Sequence, residues 1–347
     1  MIEMLVKAAM LVSLGWSPEY QLIAGSYDKT WNYTYTASDS RGHLYLTHNV
    51  ENGCTLSLVD PRGLEVLAES RTPGLSTCHI TILDGQVVTA DYTSGSLSVF
   101  PVDCDGVPGE PEVMYFKGSG PVRGRQDSAH LHSTWLSPDG LSLVAVDLGS
   151  DKLYRFGVRD GKLLFTDGEF HGAAPIDLPA GCGPRHCAFS PSGDRLYVIT
   201  ELSDEVLVLD YPSGRLLQRL PAHKENPNGG GHILLSPEGR FVCASVRVSS
   251  TSGDARCLCR DCIAVYERDA STGLLTPAGS FEVGGHPRHF TFAPDTDALK
   301  LVVACRDSDA LQVFTLDPST GLPQGPSENI PATSPDSVIF LRRQVQP

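Results

Sequence analysis

A short turn sequence recurs along the chain, and its spacing constrains the fold more than any other feature. Clear copies of Ser-Pro-x-Gly start at Ser137, Ser190 and Ser236, and weaker copies start at Ala293 and Leu83. Successive starts from Ser137 to Ala293 are 53, 46 and 57 residues apart. Self-similarity at such a period is typical of a chain built from repeated supersecondary units.

The same order of predicted strands follows each turn. A β-branched apolar run comes first, as in 141–146 and 196–199, and an alternating strand follows, as in 205–209. A weaker strand closes the unit, as in 214–217. Four strands in about 50 residues indicate the blade of a β-propeller. A β-solenoid or two stacked sandwiches are the alternatives that this pattern leaves open.

The two ends of the chain supply the pieces of one more unit. Six internal units are visible, residues 336–341 read as a first strand, and residues 21–27 read as a second strand. We therefore predict an all-β, seven-bladed β-propeller of four-stranded blades over residues 20–342, with residues 1–19 as an N-terminal extension. The closing blade is built from both termini and is shortened, because only about 15 residues follow Tyr27 before the next blade begins at His43.

Charge and cysteine content exclude several classes of protein. Lysine and arginine total 27 against 41 acidic residues, which gives a net charge of −14. This balance argues against a protein that binds nucleic acid or an anionic membrane, although a local arginine cluster can still bind a small anion. The ten cysteines mostly stand singly in apolar runs, which is typical of a reducing compartment, so we expect a cytoplasmic protein. Whether residues 1–19 are a signal or an extension stays open, because Glu3 and Lys7 interrupt their apolar character.

Histidines and arginines fall at equivalent places in the repeat. The position four residues before each turn holds His79, Ser133, His186, His232 and His289. The position five residues before holds Cys78, His132, Arg185, Gly231 and Arg288. First strands line the channel of a propeller, so these side chains should converge at one mouth. The alternative for the histidines is that each caps the turn of its own blade.

One acid is placed to neutralise these arginines. A ring of like charge is repulsive unless a carboxylate or an anionic ligand sits within it. Glu201 follows the second strand of the blade that holds Arg185, and Arg247 occupies the matching place one blade later.

These segments resemble the seven-bladed propeller lactonase family, typified by bacterial 6-phosphogluconolactonase. The resemblance is carried by residues 183–202, by 126–133 with 147–151, by 91–101 and by 285–290, and it extends from about residue 43 to 342. A fungal branch of this family resembles carboxymuconate-cyclising enzymes on the same scaffold.

The resemblance implies lactone hydrolysis at the channel mouth, without a metal or an organic cofactor. Its catalytic cluster would fall on His132, Arg185, Glu201 and Arg247, with His130 competing for the place of His132. The residues predicted to bind substrate are His79, His130, His186, His232, Arg288 and His289. The expected partner is a small anionic lactone, with no nucleic acid and no membrane, and a monomer is expected.

The chemistry allows several assignments. Glu201 or His132 could act as general base, and Arg185 could stabilise the oxyanion. Arg247 and Arg288, with Arg123 or Arg125, could hold a phosphate or carboxylate. The alternatives to a sugar lactonase are a cyclase or lactonase acting on another acid, such as a muconate, and a non-catalytic interaction scaffold.

One insertion carries closely spaced thiols. Cys257, Cys259 and Cys262 could contribute to a zinc site, which usually needs four ligands. No fourth ligand is evident nearby, so we predict a surface loop and no metal.

Overall fold

The computed structural model describes residues 11–17, 19–26, 35–164, 174–222, 229–247, 260–294 and 297–343. Within these residues the protein is an all-β propeller, and its helical structure is the 3-10 turn Arg306–Ser308. The strands are β1 (Leu11–Gly15), β2 (Tyr20–Ser26), β3 (Tyr35–Ser38), β4 (Leu44–Val50), β5 (Gly53–Val59), β6 (Val66–Thr72), β7 (Thr77–Leu83), β8 (Gln86–Asp91), β9 (Ser96–Pro101), β10 (Glu112–Tyr115), β11 (Leu131–Leu136), β12 (Ser142–Asp147), β13 (Lys152–Arg159), β14 (Lys162–Leu163), β15 (Ile176–Asp177), β16 (Pro184–Phe189), β17 (Arg195–Thr200), β18 (Glu205–Asp210), β19 (Leu216–Pro221), β20 (Gly230–Leu235), β21 (Phe241–Val246), β22 (Cys262–Arg268), β23 (Leu275–Glu282), β24 (Pro287–Phe292), β25 (Leu299–Cys305), β26 (Ala310–Leu316), β27 (Glu328–Pro331) and β28 (Pro335–Arg342).

The strands form antiparallel sheets in the order that the repeat predicts. Six sheets follow one another along the chain, namely β3–β6, β7–β10, β11–β15, β16–β19, β20–β23 and β24–β27. A further sheet joins the two ends of the chain, since β28 pairs with β2 and β2 pairs with β1. Strand β1 lies within the segment predicted as an extension. The prediction of an all-β propeller is confirmed.

The second strand of a sheet is buried on both faces, which explains its unbroken apolar sequence. In β17, Leu196 and Val198 pack toward the preceding sheet, and Tyr197 and Ile199 pack toward the following one. A strand with cores on both sides needs apolar residues at every position, whereas an outer strand alternates with solvent. The described part of the chain holds one such apolar core between each pair of neighbouring sheets, including one between the sheet of β2 and β28 and that of β3–β6.

Most first strands contain an irregularity at the same place. The pairing register shifts at Cys78 in β7, at His132 in β11, at Arg185 in β16, at Arg288 in β24 and at Asp336 in β28. In β20 the shift spans Gly231 and His232. A β-bulge interrupts the strict alternation of a strand and re-aims side chains. It therefore directs two consecutive side chains of one strand toward the axis, which creates two layers in the channel.

Candidate active site

One of the two layers in the channel is charged, and we call it the charged layer. Glu201, which directly follows β17, lies at its centre. Its backbone N–H donates to the Gly183 carbonyl at 2.7 Å, which fixes the start of the turn. Carboxylate Oε2 lies 3.1 Å from Arg185 Nε and 2.9 Å from Arg247 Nη2, and Oε1 accepts a hydrogen bond from Arg125 Nη2. Three guanidinium groups from three different parts of the chain thus share one carboxylate.

Glu201 is ionised in this setting. Burial by itself would raise the pKa of the carboxyl group, but Arg247, Arg185 and Arg125 outweigh it and hold the pKa well below its usual range. His132 acts in the same direction as the arginines. The carboxylate therefore keeps its negative charge at any physiological pH.

Arg185 is the most deeply buried cation of the group, with its side chain 2% exposed. Its Nη1 donates to the Gly231 carbonyl at 2.5 Å and to His186 Nε2 at 3.2 Å. Burial, followed by Arg247 and Arg288, lowers its pKa to about 9, so the group still carries its charge at neutral pH. Its contact with Glu201 through Nε is an ion pair rather than an aligned hydrogen bond.

Arg247 is held by the segment that enters β20. Its Nε donates to the Gly229 carbonyl at 3.1 Å, and its Nη2 donates to the Gly230 carbonyl at 2.8 Å. A Cβ atom at Gly229 would lie 1.8 Å from the Arg247 carbonyl oxygen, so only glycine allows the two segments to approach this closely. The guanidinium group is consequently fixed in position beside Glu201.

His132 occupies the bulge of β11 and is buried next to this cluster. Its Nδ1 lies 3.7 Å from the Cys78 thiol, and its ring makes edge contacts with Tyr92 and His186, each with centroids 5.4 Å apart. Burial and Arg185 lower its pKa well below the usual value, while Glu201 opposes them. The imidazole is therefore neutral.

His130 lies at the rim and not in the bulge. It stacks on Tyr92 with ring centroids 4.5 Å apart, and its Nδ1 donates to the Tyr92 carbonyl at 2.9 Å. Both histidines proposed for the catalytic place thus contact Tyr92, but His132 is the one beside Arg185 and Glu201. Tyr92 stands at the repeat position of Glu201, one residue after a second strand, and it was not among the site residues predicted from the sequence.

A layer of histidines lies one residue further along the first strands. Its members are His79, His186, His232 and His289, which are 3%, 2%, 1% and 6% exposed. The rings of His232 and His289 stack with centroids 4.1 Å apart. Burial is the main cause that lowers the pKa of all four, and that of His289 falls to about 3. The layer is neutral.

Hydrogen bonds in this layer fix the tautomers. An arginine can only donate, so His186 Nε2 accepts from Arg185 and the proton of His186 lies on Nδ1. That proton is donated to His232 Nδ1 at 2.7 Å. His79 Nδ1 accepts the backbone N–H of Thr134, and His289 Nδ1 accepts that of Val338. These two histidines therefore bond the backbone of the next sheet and not a turn of their own blade.

One buried acid of the charged layer was not among the site residues predicted from the sequence. Asp336 Oδ1 lies 3.1 Å from Arg288 Nε, and the side chains are 1% and 12% exposed. Burial raises the pKa of Asp336, and Arg288 opposes that shift. Asp336 stands five residues before Leu341, the same offset that selected Arg185 and Arg288, so extending the alignment to the last strand would have found it.

The predicted site residues thus separate into four groups. His132, Arg185, Glu201 and Arg247 meet in one cluster, the four histidines lie in the neutral layer, Arg288 pairs with Asp336, and His130 lies on Tyr92 at the rim. Their catalytic and binding roles stay predictions. Among the described residues no cluster of three or more potential metal ligands is present, and Cys257 and Cys259 lie outside those residues. No helix in the described ranges has the length and apolar character needed to cross a bilayer.

Comparison with known proteins gives a consistent set of relatives. The family described as "Lactonase, 7-bladed beta-propeller" matches residues 23–340. A 6-phosphogluconolactonase of Bacillus subtilis strain 168 is 32% identical over 316 residues, which cover 88% of this chain and 82% of the relative. A 6-phosphogluconolactonase of Formosa agariphila is 33% identical over 257 residues, which cover 72% and 69%. The structure of the Pseudomonas aeruginosa periplasmic gluconolactonase superposes with a TM-score of 0.74 at 25% identity and covers 95% of this chain and 98% of that one.

Proposed function

Because the chain belongs to the lactonase family of seven-bladed β-propellers, we propose that it hydrolyses a sugar δ-lactone at the charged end of its channel. The substrate that fits best is 6-phosphogluconolactone, since two relatives bear the name of its hydrolase and the site is rich in arginine. The observation that carries the proposal is the ionised Glu201, shared by buried guanidinium groups and adjacent to a neutral imidazole.

These groups match what lactone opening requires. Water attacks the ring carbonyl, and its proton passes to Glu201 or to His132. The new C–O bond places negative charge on the carbonyl oxygen, which Arg185 and Arg247 are placed to stabilise. The ring C–O bond then breaks, and the proton returns to the departing alkoxide. The products are one hydroxyl group and one carboxylic acid, which releases its proton to solvent and becomes a carboxylate, and the protein is regenerated.

The same proposal includes a closed ring of seven blades over residues 20–342. Three observations support it. The last strand β28 pairs with β2, the first strands contact one another in sequence, and β28 contacts both β24 and β3. Strand β1 then adds an outer strand to the closing sheet. Closure matters for the channel because it brings β3 next to β28, where the hydroxyl groups of Thr36 and Ser337 share a hydrogen bond at 3.0 Å.

We further propose a monomer in the cytoplasm. Eight cysteines in the described residues are free thiols, seven of them buried, as expected for a reducing compartment. Size-exclusion chromatography with light scattering tests the monomeric state, and a dimer would overturn it. Cell fractionation tests the cytoplasmic location, and export of the protein would overturn it.

The direct test is hydrolysis measured by pH-stat and corrected for spontaneous opening. The substrates are 6-phosphogluconolactone, unphosphorylated gluconolactone and carboxymuconolactone. We expect the sugar lactones to be opened and Glu201→Gln to lower kcat/KM by at least about 10³. Glu205→Gln is the matched control, because Glu205 also pairs with an arginine, Arg219, but at the protein surface. If none of the three lactones is opened faster than the background rate, a non-catalytic scaffold is favoured. If carboxymuconolactone alone is opened, a lactonase or cyclase that acts on a muconate is favoured.

A further inference from the structure

Arg125 differs from the two other arginines that contact Glu201. Its side chain is 42% exposed, whereas those of Arg185 and Arg247 are 2% and 9% exposed. The two oxygens of Glu201 differ accordingly. Oε2 faces the two buried guanidinium groups, and Oε1 accepts its hydrogen bond from Arg125. One side of the carboxylate is therefore fixed, and the other is covered by an accessible group.

The backbone beneath Arg125 is anchored although its side chain is accessible. The neighbouring Gln126 is fully buried, and its amide donates to the Leu148 carbonyl and to Asp151 Oδ1, both at 2.8 Å. Its Oε1 accepts the backbone N–H of Val122 at 3.1 Å. Arg125 thus projects from a fixed point, and its long side chain can reorient without moving the loop.

The charge balance at Glu201 gives this difference a chemical consequence. A general base works best when its pKa is near the working pH, and three guanidinium groups hold Glu201 far below that range. Arg185 and Arg247 cannot withdraw, because backbone carbonyls of the segment around Gly230 hold them in buried positions. Arg125 hydrogen-bonds the side chains of Glu201 and Tyr92, and it can exchange these contacts for solvent or for another anion.

The connection between β10 and β11 that carries Arg125 is basic on balance. Lys117 and Arg123 are exposed in it, against one exposed acid, Asp127. In a protein of net charge −14 this excess of positive charge is local. A phosphate dianion suits a guanidinium group well, because its oxygens accept two parallel hydrogen bonds.

We propose that Arg125 covers Glu201 Oε1 in the free protein and moves onto the phosphate of a phosphorylated sugar lactone, which uncovers Oε1 for the attacking water. This inference rests on the proposed function. The water proton goes to Oε1, the water oxygen bonds to the lactone carbonyl carbon, and the proton later protonates the ring oxygen as its C–O bond breaks. Arg125 thereby couples recognition of the phosphate to activation of the base.

The test compares two substrates in Arg125→Gln and in a matched control. The control is Arg219→Gln, because Arg219 also pairs with a glutamate and is 50% exposed. Rates for 6-phosphogluconolactone and unphosphorylated gluconolactone are measured by pH-stat. Removing one charge-assisted contact should lower kcat/KM for the phosphorylated lactone by about 10- to 100-fold. The rate for the unphosphorylated lactone should rise, because Oε1 of Glu201 is no longer covered, and Arg219→Gln should change neither rate.

A second arm separates this exchange from a purely structural role of Arg125. Inorganic phosphate at millimolar concentration should accelerate hydrolysis of the unphosphorylated lactone by the unaltered protein, because it can draw Arg125 away in place of the substrate. Arg125→Gln should not respond to phosphate. Equal loss of both activities in Arg125→Gln, or no activation by phosphate in an active protein, would overturn the exchange alone. An unaltered protein that opens neither lactone would overturn the proposed function and this inference with it.

Discussion

Two layers of one channel, a single residue apart along the first strands, differ in charge. The layer at the bulges holds the charged Arg185, Arg288 and Asp336 beside the neutral His132, and it meets Glu201 and Arg247. The layer below holds four histidines at positions that are as deeply buried. Burial disfavours the charged form of a side chain in both layers. The arginines of the charged layer keep their charge because each faces a carboxylate, whereas the four histidines of the neutral layer face none and stay neutral.

A nearby opposite charge, and not the depth of burial, decides which of these side chains stay ionised and can act on a charged intermediate. Fixed charges that are already in place can stabilise an oxyanion without reorganisation. Neutral imidazoles cannot do this, but they can satisfy buried N–H groups of the neighbouring sheet, as His79 and His289 do. Substitution of the residues that contact Glu201 should therefore cost activity, and substitution in the histidine layer should cost stability.

The largest effect is expected from Arg185→Met, which removes the deepest charge of the upper layer. We expect kcat to fall by about 10² to 10³, the usual loss for one oxyanion donor. Arg219→Met, which removes a half-exposed arginine, is the control and should leave kcat unchanged. Pre-steady-state and steady-state lactone kinetics provide the measurement. A loss below threefold in Arg185→Met would contradict the catalytic assignment of the charged layer.

The second largest effect is expected at the ion pair of Arg288 and Asp336 in the charged layer. Asp336→Asn removes the carboxylate beside Arg288, and uncompensated buried charge typically costs about 3 kcal/mol of the free energy of unfolding. The effect on kcat should stay within about tenfold, since this pair does not contact Glu201. Urea unfolding followed by tryptophan fluorescence measures the first quantity. A loss of kcat equal to that of Arg185→Met would mean that the two pairs act as one catalytic unit.

The fold was accessible from the sequence because its determinants are local and repeated. Most second strands are dominated by apolar residues, as in β17, and the turns that precede them share a similar composition. Register counting also found Arg185, Glu201 and Arg247, because equivalent strand positions of different blades surround one axis.

The rest of the site depends on features that periodicity does not encode. The bulges separate His132 from Ser133 and Arg185 from His186 into two layers, and a bulge has no clear signature in a single sequence. Arg125 lies in the irregular connection before β11, where no strand period predicts the direction of a side chain. Asp336 was missed for a different reason, since the closing strand was recognised but not aligned with the others.

A smaller effect is expected within the neutral layer. His186→Phe keeps an aromatic ring of similar size but removes the acceptor of Arg185 Nη1 and the donor to His232. Leaving a buried polar group unsatisfied should lower the free energy of unfolding by about 2 kcal/mol. Arg185 Nη1 retains the Gly231 carbonyl, so kcat should change by less than about tenfold. A loss of kcat without a loss of stability would place the histidine layer in the catalytic machinery.

The smallest expected effect is a change in the slope of the free energy of unfolding against pH. The pKa of His289 is about 3 in the folded protein against 6.5 for the free side chain, so the unfolded chain binds one more proton between these values. Stability from this residue is complete above pH 6.5 and is lost as the pH falls, by about 1.4 kcal/mol per pH unit. His289→Gln should flatten the pH dependence of the free energy of unfolding by up to that amount between about pH 6 and pH 4. Asp204, whose pKa burial raises to about 7, contributes in the opposite direction but equally in both proteins, so it cancels from the difference. Parallel curves for the two proteins would mean that His289 is protonated in the folded state and that the second layer is not neutral.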